Sequence, residues 1–287
     1  VLKQVKIQHF RGVDNLEINN LQKINLIYGK STCIKTSILE AIYLLCNYMY
    51  PHSILDIARV RGFLEINGDV FDSMFYNLDT EKCIEIVGYL ENGERRKLCI
   101  KKEPKLIGSY CYILEYIISK NCNRKNMKVC WEIEVEQPNI VNVSLRETSD
   151  FKKLENREYR NSIFISPRVN MPEIIKRLKE IQKHKQTKKI VQALKKLENR
   201  IEDLYVIDNI IYCNIKGIKR LIPVNILGSE TLNALSIFVA LHSIQNGYAF
   251  IDELENLVQP STFKTLWEEI LRVSNTNNIQ IFVTGSF

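Results

Sequence analysis

Ile24-Asn25-Leu26-Ile27-Tyr28-Gly29-Lys30-Ser31-Thr32-Cys33-Ile34-Lys35-Thr36-Ser37 is the stretch on which the reading of this chain turns. Its first five residues are mostly apolar and read as a short strand, and Gly29 supplies a turn. Residues 36–48 are rich in Ile, Leu and Ala with neither Pro nor Gly, which predicts a mostly buried helix. Strand, glycine turn and helix make the local frame of a phosphate loop, G-x-x-x-x-G-K-[ST]. In such a loop backbone N–H groups surround the phosphates, a lysine reaches the β and γ groups, and a hydroxyl binds Mg2+ at the helix N-terminus. Gly29, Lys35 and Thr36 match, and Ile34 stands where the second glycine belongs. A β-branched residue tolerates neither a positive φ nor close approach of backbone to phosphate, so an obstructed loop is expected. Gly, Lys and Thr also reach this spacing by chance, and an ordinary strand-to-helix turn is the alternative.

Upstream, Leu2, Val5 and Ile7 alternate as a strand does, a turn follows at Arg11 and Gly12, and Leu16 and Ile18 continue the pattern. Downstream, residues 53–61 and 70–76 read as short helices. Residues 83–90 and 96–102 read as strands joined by Glu91-Asn92-Gly93-Glu94, where Asn-Gly is a hairpin signal. Further β-like runs at 110–118, 127–136 and 140–145 predict an antiparallel insertion, and 162–166 is another strand.

A second signal lies near the other end, at Tyr248-Ala249-Phe250-Ile251-Asp252-Glu253. An apolar strand ending in two acids presents Asp252 at the strand's C-terminal edge, where it can hold the Mg2+ shell, with Glu253 set to polarise an attacking water. A strand followed by a solvated acidic turn is the bland alternative. Predicted helices at 231–245 and 262–273 and a strand at 279–283 complete an α/β alternation.

Composition is that of an ordinary folded chain: 287 residues, 45% hydrophobic, 25% charged. The length suggests two domains, or one with an insertion. No apolar run approaches the ~18 to 20 residues of a membrane span, and the amphipathic VLKQVKIQHF is not a secretion signal, so neither membrane nor secretion is expected. Eight cysteines, at 33, 46, 83, 99, 111, 122, 130 and 213, show no C-x-x-C pair. They are expected to be reduced and to act as small apolar residues. His9, His52, His184 and His242 form no H-x-x-x-H pair, so any metal should be oxygen-bound. The net charge of +7 is concentrated between Glu173 and Arg200, where ten cations face three acids. Ile190, Leu194, Leu197, Ile201 and Leu204 recur at helical spacings there and predict helix as far as Leu204. This basic segment is either a solvated face or a contact for nucleic acid or an acidic partner.

LKQVKIQHFRGVDNLEINNLQKINLIYGK followed by KTSILEAIYLL resembles the N-terminal half of an AAA-type ATPase of the ABC class, the group of RecF, SMC-like heads and OLD-family ATPase parts. FIDELENLVQPSTFKTLWEEIL followed by NNIQIFVTGSF resembles that group's acidic strand (Walker B), D-loop and final strand. The resemblance covers residues 1–48 and 162–287. It implies an α/β fold, an ABC-ATPase head of the P-loop NTPase kind with a central antiparallel-β and helical insertion. The expected divisions are 1–48, an N-terminal lobe with the phosphate loop; 49–161, a mostly β insertion; 162–224, basic helices and short strands; and 225–287, a C-terminal lobe with signature and Walker B.

Carried over position by position, the resemblance puts the nucleotide on Arg11, Gly29, Lys30, Ser31, Thr32, Cys33, Ile34, Lys35, Thr36 and Ser37. Lys35 falls on the β and γ phosphates, Thr36 and Asp252 on Mg2+, and Glu253 is the catalytic carboxylate. Gly228, Ser229 and Glu230 lie in the signature that caps the γ-phosphate of the opposite subunit, and Glu255, Asn256 and Pro260 in the D-loop. Three departures touch this Walker A and signature machinery: Ile34, Glu230 in place of the signature's second glycine, and Ser286 at the switch position where a histidine is usual. They predict weakened hydrolysis. Gln259 also stands where relatives often have histidine, and no first-lobe glutamine for Mg2+ is identifiable. The expected function is thus cytoplasmic, Mg2+-dependent ATP binding with slow hydrolysis and head-to-head homodimerisation, in DNA maintenance or defence against foreign DNA. DNA would meet the basic helices between Lys176 and Arg200, and an effector protein is a further expected partner. A degenerate head serving as scaffold or sensor is the alternative. With Phe287 following the last core strand, no Toprim nuclease domain is expected, so the chain reads as a short ATPase or part of a longer protein.

Overall fold

The alternation at Leu2, Val5 and Ile7 becomes β1 (Leu2–Phe10), in which those three side chains and Phe10 are buried. The computed structural model describes residues 1–29, 32–105, 110–120, 126–136, 140–148, 162–257 and 259–286. It divides into two units, Val1–Asn25 with Gly29–Arg160, and Leu26–Tyr28 with Asn161–Phe287.

In the first unit β1 pairs with β2 (Val13–Ile18), and the chain then runs through β3 (Ile24–Tyr28) into α1 (Thr32–Cys46). The strands β4 (Ile84–Leu90), β5 (Glu94–Pro104), β6 (Tyr110–Lys120), β7 (Met127–Glu136) and β8 (Ile140–Thr148) join β1 and β2 in one antiparallel sheet, ordered β2-β1-β4-β5-β6-β7-β8. The N-terminal strands and the β-rich middle of the chain therefore share a sheet. Leu39, Ile42, Leu44 and Leu45 of α1 are buried, and the helix packs on β1, β4 and β5. It comes so close that a Cβ at Gly88 would lie 2.6 Å from Leu45 Cδ2 and 2.8 Å from Leu2 Cδ1, which explains a glycine in the middle of β4. At the helix end the Tyr116 hydroxyl donates to the Leu44 carbonyl (3.1 Å), and the Trp131 indole donates to the Tyr48 carbonyl just beyond it (3.0 Å).

α2 (Ser53–Val60) follows, but the helix expected over 70–76 is instead the short α3 (Gly68–Asp72), followed by a 3-10 turn at Tyr76–Leu78. Asn67 sets its start by accepting from the Val70 N–H (3.2 Å), and positive φ at Asn77 and Leu78 ends the turn. The cysteine expectation needs a correction. Cys83, just before β4, is disulfide-bonded to Cys99 on β5, because the hairpin places these sulfurs on one face of neighbouring strands. Cys46, Cys111, Cys130 and Cys213 are buried thiols, and burial pushes Cys213 up to about 11.

In the second unit Leu26–Tyr28 of β3 joins a four-stranded sheet, ordered β3-β14-β13-β9, formed with β9 (Ser162–Ile165), β13 (Tyr248–Ile251) and β14 (Gln280–Gly285). β13 runs parallel to both of its neighbours, and Phe164, Phe250 and Phe282 stack across the three strands. α4 (Met171–Lys183) and α5 (Thr187–Lys195) carry the basic segment. Ile201 and Leu204 do not continue that helix. They lie on β10 (Ile201–Ile207), which pairs with β11 (Ile210–Ile215), itself paired with β12 (Ile222–Pro223). A spacing of three would put them on opposite faces of a regular strand, but the register shifts between Ile201 and Asp203, and both are buried. α6 (Ser229–His242) is packed by α4, α5 and α8 (Pro260–Thr276), with the short α7 (Leu254–Leu257) before α8. Among the described residues no helix is long and apolar enough to cross a membrane.

Candidate nucleotide site

The phosphate-loop candidates lie in the first unit. α1 begins at Thr32, so Ile34 is its third residue and needs no positive φ. Ile34 is 40% exposed, and its Cγ1 would lie 3.6 Å from a Cβ at Gly12, in the turn after β1. Lys35, Thr36 and Ser37 are buried in the first turns of the helix, and Lys35 Nζ donates to the Gly29 carbonyl at 2.5 Å. Thr32 and Cys33 open α1, while Lys30 and Ser31 fall outside the described residues.

Arg11, expected near the nucleotide, sits at positive φ (49°) with its N–H on the Met74 carbonyl (2.7 Å). Its guanidinium forms an ion pair with Glu40, Nε to Oε2 at 2.7 Å. Glu40 is fully buried and is also held by Arg61, Nε to Oε1 at 2.7 Å and Nη2 to Oε2 at 3.2 Å. Sequence reasoning missed both Glu40 and Arg61. The one available signal was an acid inside the apolar helix run ILEAIYLL.

The acidic strand belongs to the second unit. All four residues of β13 are buried, and the strand delivers Asp252 at 5% exposure. Thr284, on the adjacent β14, donates its hydroxyl to Asp252 Oδ1 (2.6 Å) and accepts from the Glu253 N–H (2.8 Å). One buried hydroxyl thus fixes both acids. Glu253 has φ 48°, a left-handed conformation that costs a non-glycine residue roughly 1 to 3 kcal/mol and clusters at functional sites. Asn256 Nδ2 donates to Glu253 Oε2 at 2.9 Å, so a residue expected in the D-loop orients the carboxylate expected to be catalytic. Thr284 is the other residue that sequence reasoning missed, because a threonine at a strand end carries no motif. Thr284→Val keeps the shape but removes both hydrogen bonds. With Asp252 as the expected Mg2+ ligand, turnover is expected to fall 10- to 100-fold, the range for lost supporting contacts to metal ligands; parent-like turnover would show that the hydroxyl does not set these acids.

At the signature position Gly228 caps α6 with φ 100° and ψ 157°, a conformation essentially restricted to glycine. Ser229 and Glu230 form the first turn of α6. Glu230 Oε1, and Glu255 Oε2 on α7, are buried oxygens with no hydrogen-bond partner among the described residues. Ser286 is exposed just after β14. Behind α6 lies a buried charge group: Glu269 of α8, 1% exposed, meets His242 at 3.3 Å, Arg272 through both nitrogens of its fork, and Lys196 at 3.8 Å. Burial opposes ionisation of Glu269, but hydrogen bonds from His242 and Arg272 outweigh it and hold the carboxyl down at about 2.

The AAA domain family matches residues 4–220, a span that contains the phosphate-loop candidates and stops before β13. The chain belongs to that family, the AAA domain family. An ATP/GTP phosphatase of Helicobacter pylori is 24% identical over 313 residues, covering 99% of this chain and 85% of that protein. An uncharacterised protein of Methanocaldococcus jannaschii is 43% identical over 123 residues, 42% of this chain and 56% of its own length. The structure of the recombination mediator RecF with ATP aligns with 100% of this chain and 92% of its own at 12% identity, with a TM-score of 0.42.

Proposed function

We propose that this ATPase binds ATP with Mg2+, hydrolyses it slowly and pairs head to head with a second copy when nucleotide is bound. In this reading Lys35 takes the β and γ phosphates, and backbone N–H groups of the Gly29 to Ser37 loop cradle them. Thr36 and Asp252 hold Mg2+, whose chemistry is to neutralise charge on the transferred phosphoryl group. Glu253 polarises the attacking water. The residues suit a hard cation, since the donors are a hydroxyl and a carboxylate. The observation that carries the reading is the Thr284 bridge, which holds Asp252 beside a Glu253 kept in a strained conformation. A relative named an ATP/GTP phosphatase supports a nucleoside triphosphate as substrate. Dimerisation is supported by Glu230 and Glu255, whose orphaned oxygens lie in the signature and D-loop segments that would meet a partner head.

The test is thermal stabilisation by ATP with and without Mg2+. A ligand at 100 times its Kd adds about 2.7 kcal/mol. A clear, Mg2+-enhanced rise in Tm is expected. No shift at millimolar ATP would favour the second reading, a scaffold or sensor. One feature supports that alternative: Glu230 places a carboxylate in the first turn of the signature helix, where a phosphate would otherwise find the positive end of the helix dipole.

The same reading places the work in the cytoplasm, on DNA, in maintenance or defence and with an effector protein as further partner. Of the ten cations between Glu173 and Arg200, several are tied locally: Arg177 to Glu173 (2.8 Å), Lys183 to Glu180 (2.6 Å) and Arg200 to Glu198 (2.9 Å). Lys176, Lys185, Lys188, Lys189 and Lys195 are exposed and have no ion-pair partner among the described residues. Changing these five to glutamine is expected to weaken DNA binding and flatten its salt dependence, which runs at about 0.9 log units per log unit of salt for each phosphate engaged. A parent chain with no affinity for DNA at about 150 mM salt would remove DNA from the partners.

A further inference from the structure

Side chains two apart on a strand share a face, so Cys83 and Glu85 stand together at the start of β4, and Glu85 lies directly opposite Cys99 of β5. Ile84 and Ile86 point the other way and are fully buried, and Gly88 on their side meets Leu45 of α1. The hairpin therefore gathers two sulfurs and a carboxylate on the face turned away from α1. Among the described residues this is the one group of three or more His, Cys, Asp or Glu side chains whose donor atoms all lie within 4.8 Å of one another. Cys83 and Glu85 are half-buried and Cys99 is buried. The two cysteines lie 16 residues apart, so no short motif marks them.

The disulfide accounts for the sulfurs but leaves the carboxylate unexplained. Lys97 Nζ contacts Glu85 Oε1 at 2.7 Å, and the second oxygen has no hydrogen-bond partner among the described residues. Lys97 also lies two residues from Cys99 on the same face of β5, where an ammonium favours thiolate over thiol. Two thiolates beside a carboxylate suit a borderline-soft divalent cation: Mg2+ and Ca2+ take oxygen donors, whereas Zn2+ accepts sulfur and oxygen together. Zn–S bonds of about 2.3 Å in a tetrahedral shell put two thiolates about 3.8 Å apart. With the Cα atoms held at 6.3 Å, the side chains reach that separation by rotation.

We propose that reduced Cys83 and Cys99 form, with Glu85, a Zn2+ site of three protein ligands and a fourth position for water, which the disulfide closes and reduction opens. Two molecules of a small thiol supply two electrons and two protons, leave the chain with two thiols and become a disulfide themselves. Attack falls on Cys83, the more exposed of the pair. Zn2+ then replaces the two thiol protons, which are released.

The full chain is reduced with a phosphine, which takes its oxygen from water to become the phosphine oxide, and is freed of reagent without air. Zn2+ alone is then added, bound metal is counted after desalting, and Kd is measured against a chromogenic chelator. One Zn2+ per chain is expected for the reduced parent and none for the oxidised one. Cys83→Ser and Cys99→Ser should each weaken Zn2+ by more than about 100-fold, beyond the 10- to 100-fold that loss of an outer-shell partner costs. Glu85→Gln, which leaves a neutral and weaker ligand, should cost about tenfold. Co2+ in place of Zn2+ should give a thiolate charge-transfer band that both serine variants lack. Cys213→Ser, a thiol of the second unit, should bind as the parent does, and loss of zinc there would count against the site. Parent-like affinity in either hairpin cysteine variant or in Glu85→Gln, no zinc on the reduced parent, or a disulfide that the phosphine leaves intact in the folded chain overturns the inference and leaves the pair a structural crosslink. Should Cys99→Ser fail to fold, Cys83→Ser, just outside the strand, decides.

Discussion

Lys35→Met is expected to abolish ATP binding in a chain that remains folded. Lys35 is only 4% exposed, with its ammonium on the Gly29 carbonyl, so truncation to alanine would also open a gap in the first turn of α1. Methionine keeps the volume and removes the charge, which isolates the electrostatic contribution. Losing the cation for the β and γ phosphates should raise the ATP Kd at least 100-fold, about 2.7 kcal/mol. Calorimetry checks this, and equal affinity in mutant and parent would end the phosphate-loop assignment. Glu253→Gln provides the contrast: the amide still accepts from Asn256 Nδ2 but cannot take a proton, so binding should persist while turnover stops. Unaffected turnover would mean that Glu253 is not the catalytic carboxylate.

Glu269→Gln is expected to destabilise the second unit by roughly 2 to 3 kcal/mol at pH 7, with a pH dependence that identifies the cause. The folded chain holds Glu269 at about 2, against 4.5 for an unperturbed glutamate, and each pKa unit corresponds to about 1.4 kcal/mol. Because the folded value is depressed, the contribution is complete above about pH 4.5 and is lost as pH falls towards 2. The groups facing the carboxylate are His242 from α6, Arg272 from its own helix and Lys196 from the end of α5. Urea unfolding of parent and mutant should therefore differ most at neutral pH, with the difference shrinking below pH 4.5 and closing only as pH approaches 2. A difference that stays constant from pH 7 to pH 3 would assign the effect to packing rather than charge.

The strands on either side of the phosphate loop were readable because their alternation is local, and β13 could be placed because an unbroken apolar run of four ends abruptly in two acids. The helix extrapolated through Ile201 and Leu204 failed where a register shift makes a spacing of three compatible with one face of a strand. Ile34 was expected to obstruct the loop because the motif puts glycine there. With α1 starting at Thr32, the position is helical, and helical backbone accepts isoleucine. The cysteines were read from spacing alone. The Cys83 and Cys99 pairing depends on which strands lie side by side, and no local pattern encodes that.

What the sequence determined by itself is the set of groups fixed by short-range chemistry: the loop lysine and threonine on a helix, the acids at a strand end, the glycine before the signature helix and the concentration of basic charge. These follow from backbone preference and periodicity within a few residues. The tertiary structure alone decided which distant groups those residues lean on. The seven-stranded sheet that unites β1 and β2 with β4 to β8, the Thr284 hydroxyl between Asp252 and Glu253, the two arginines on Glu40 and the cations around Glu269 all join segments far apart in the chain. The physical reason is burial: once packing takes a carboxylate or a main-chain N–H out of water, its partner must come from whatever the fold brings within hydrogen-bond distance, and sequence separation does not enter.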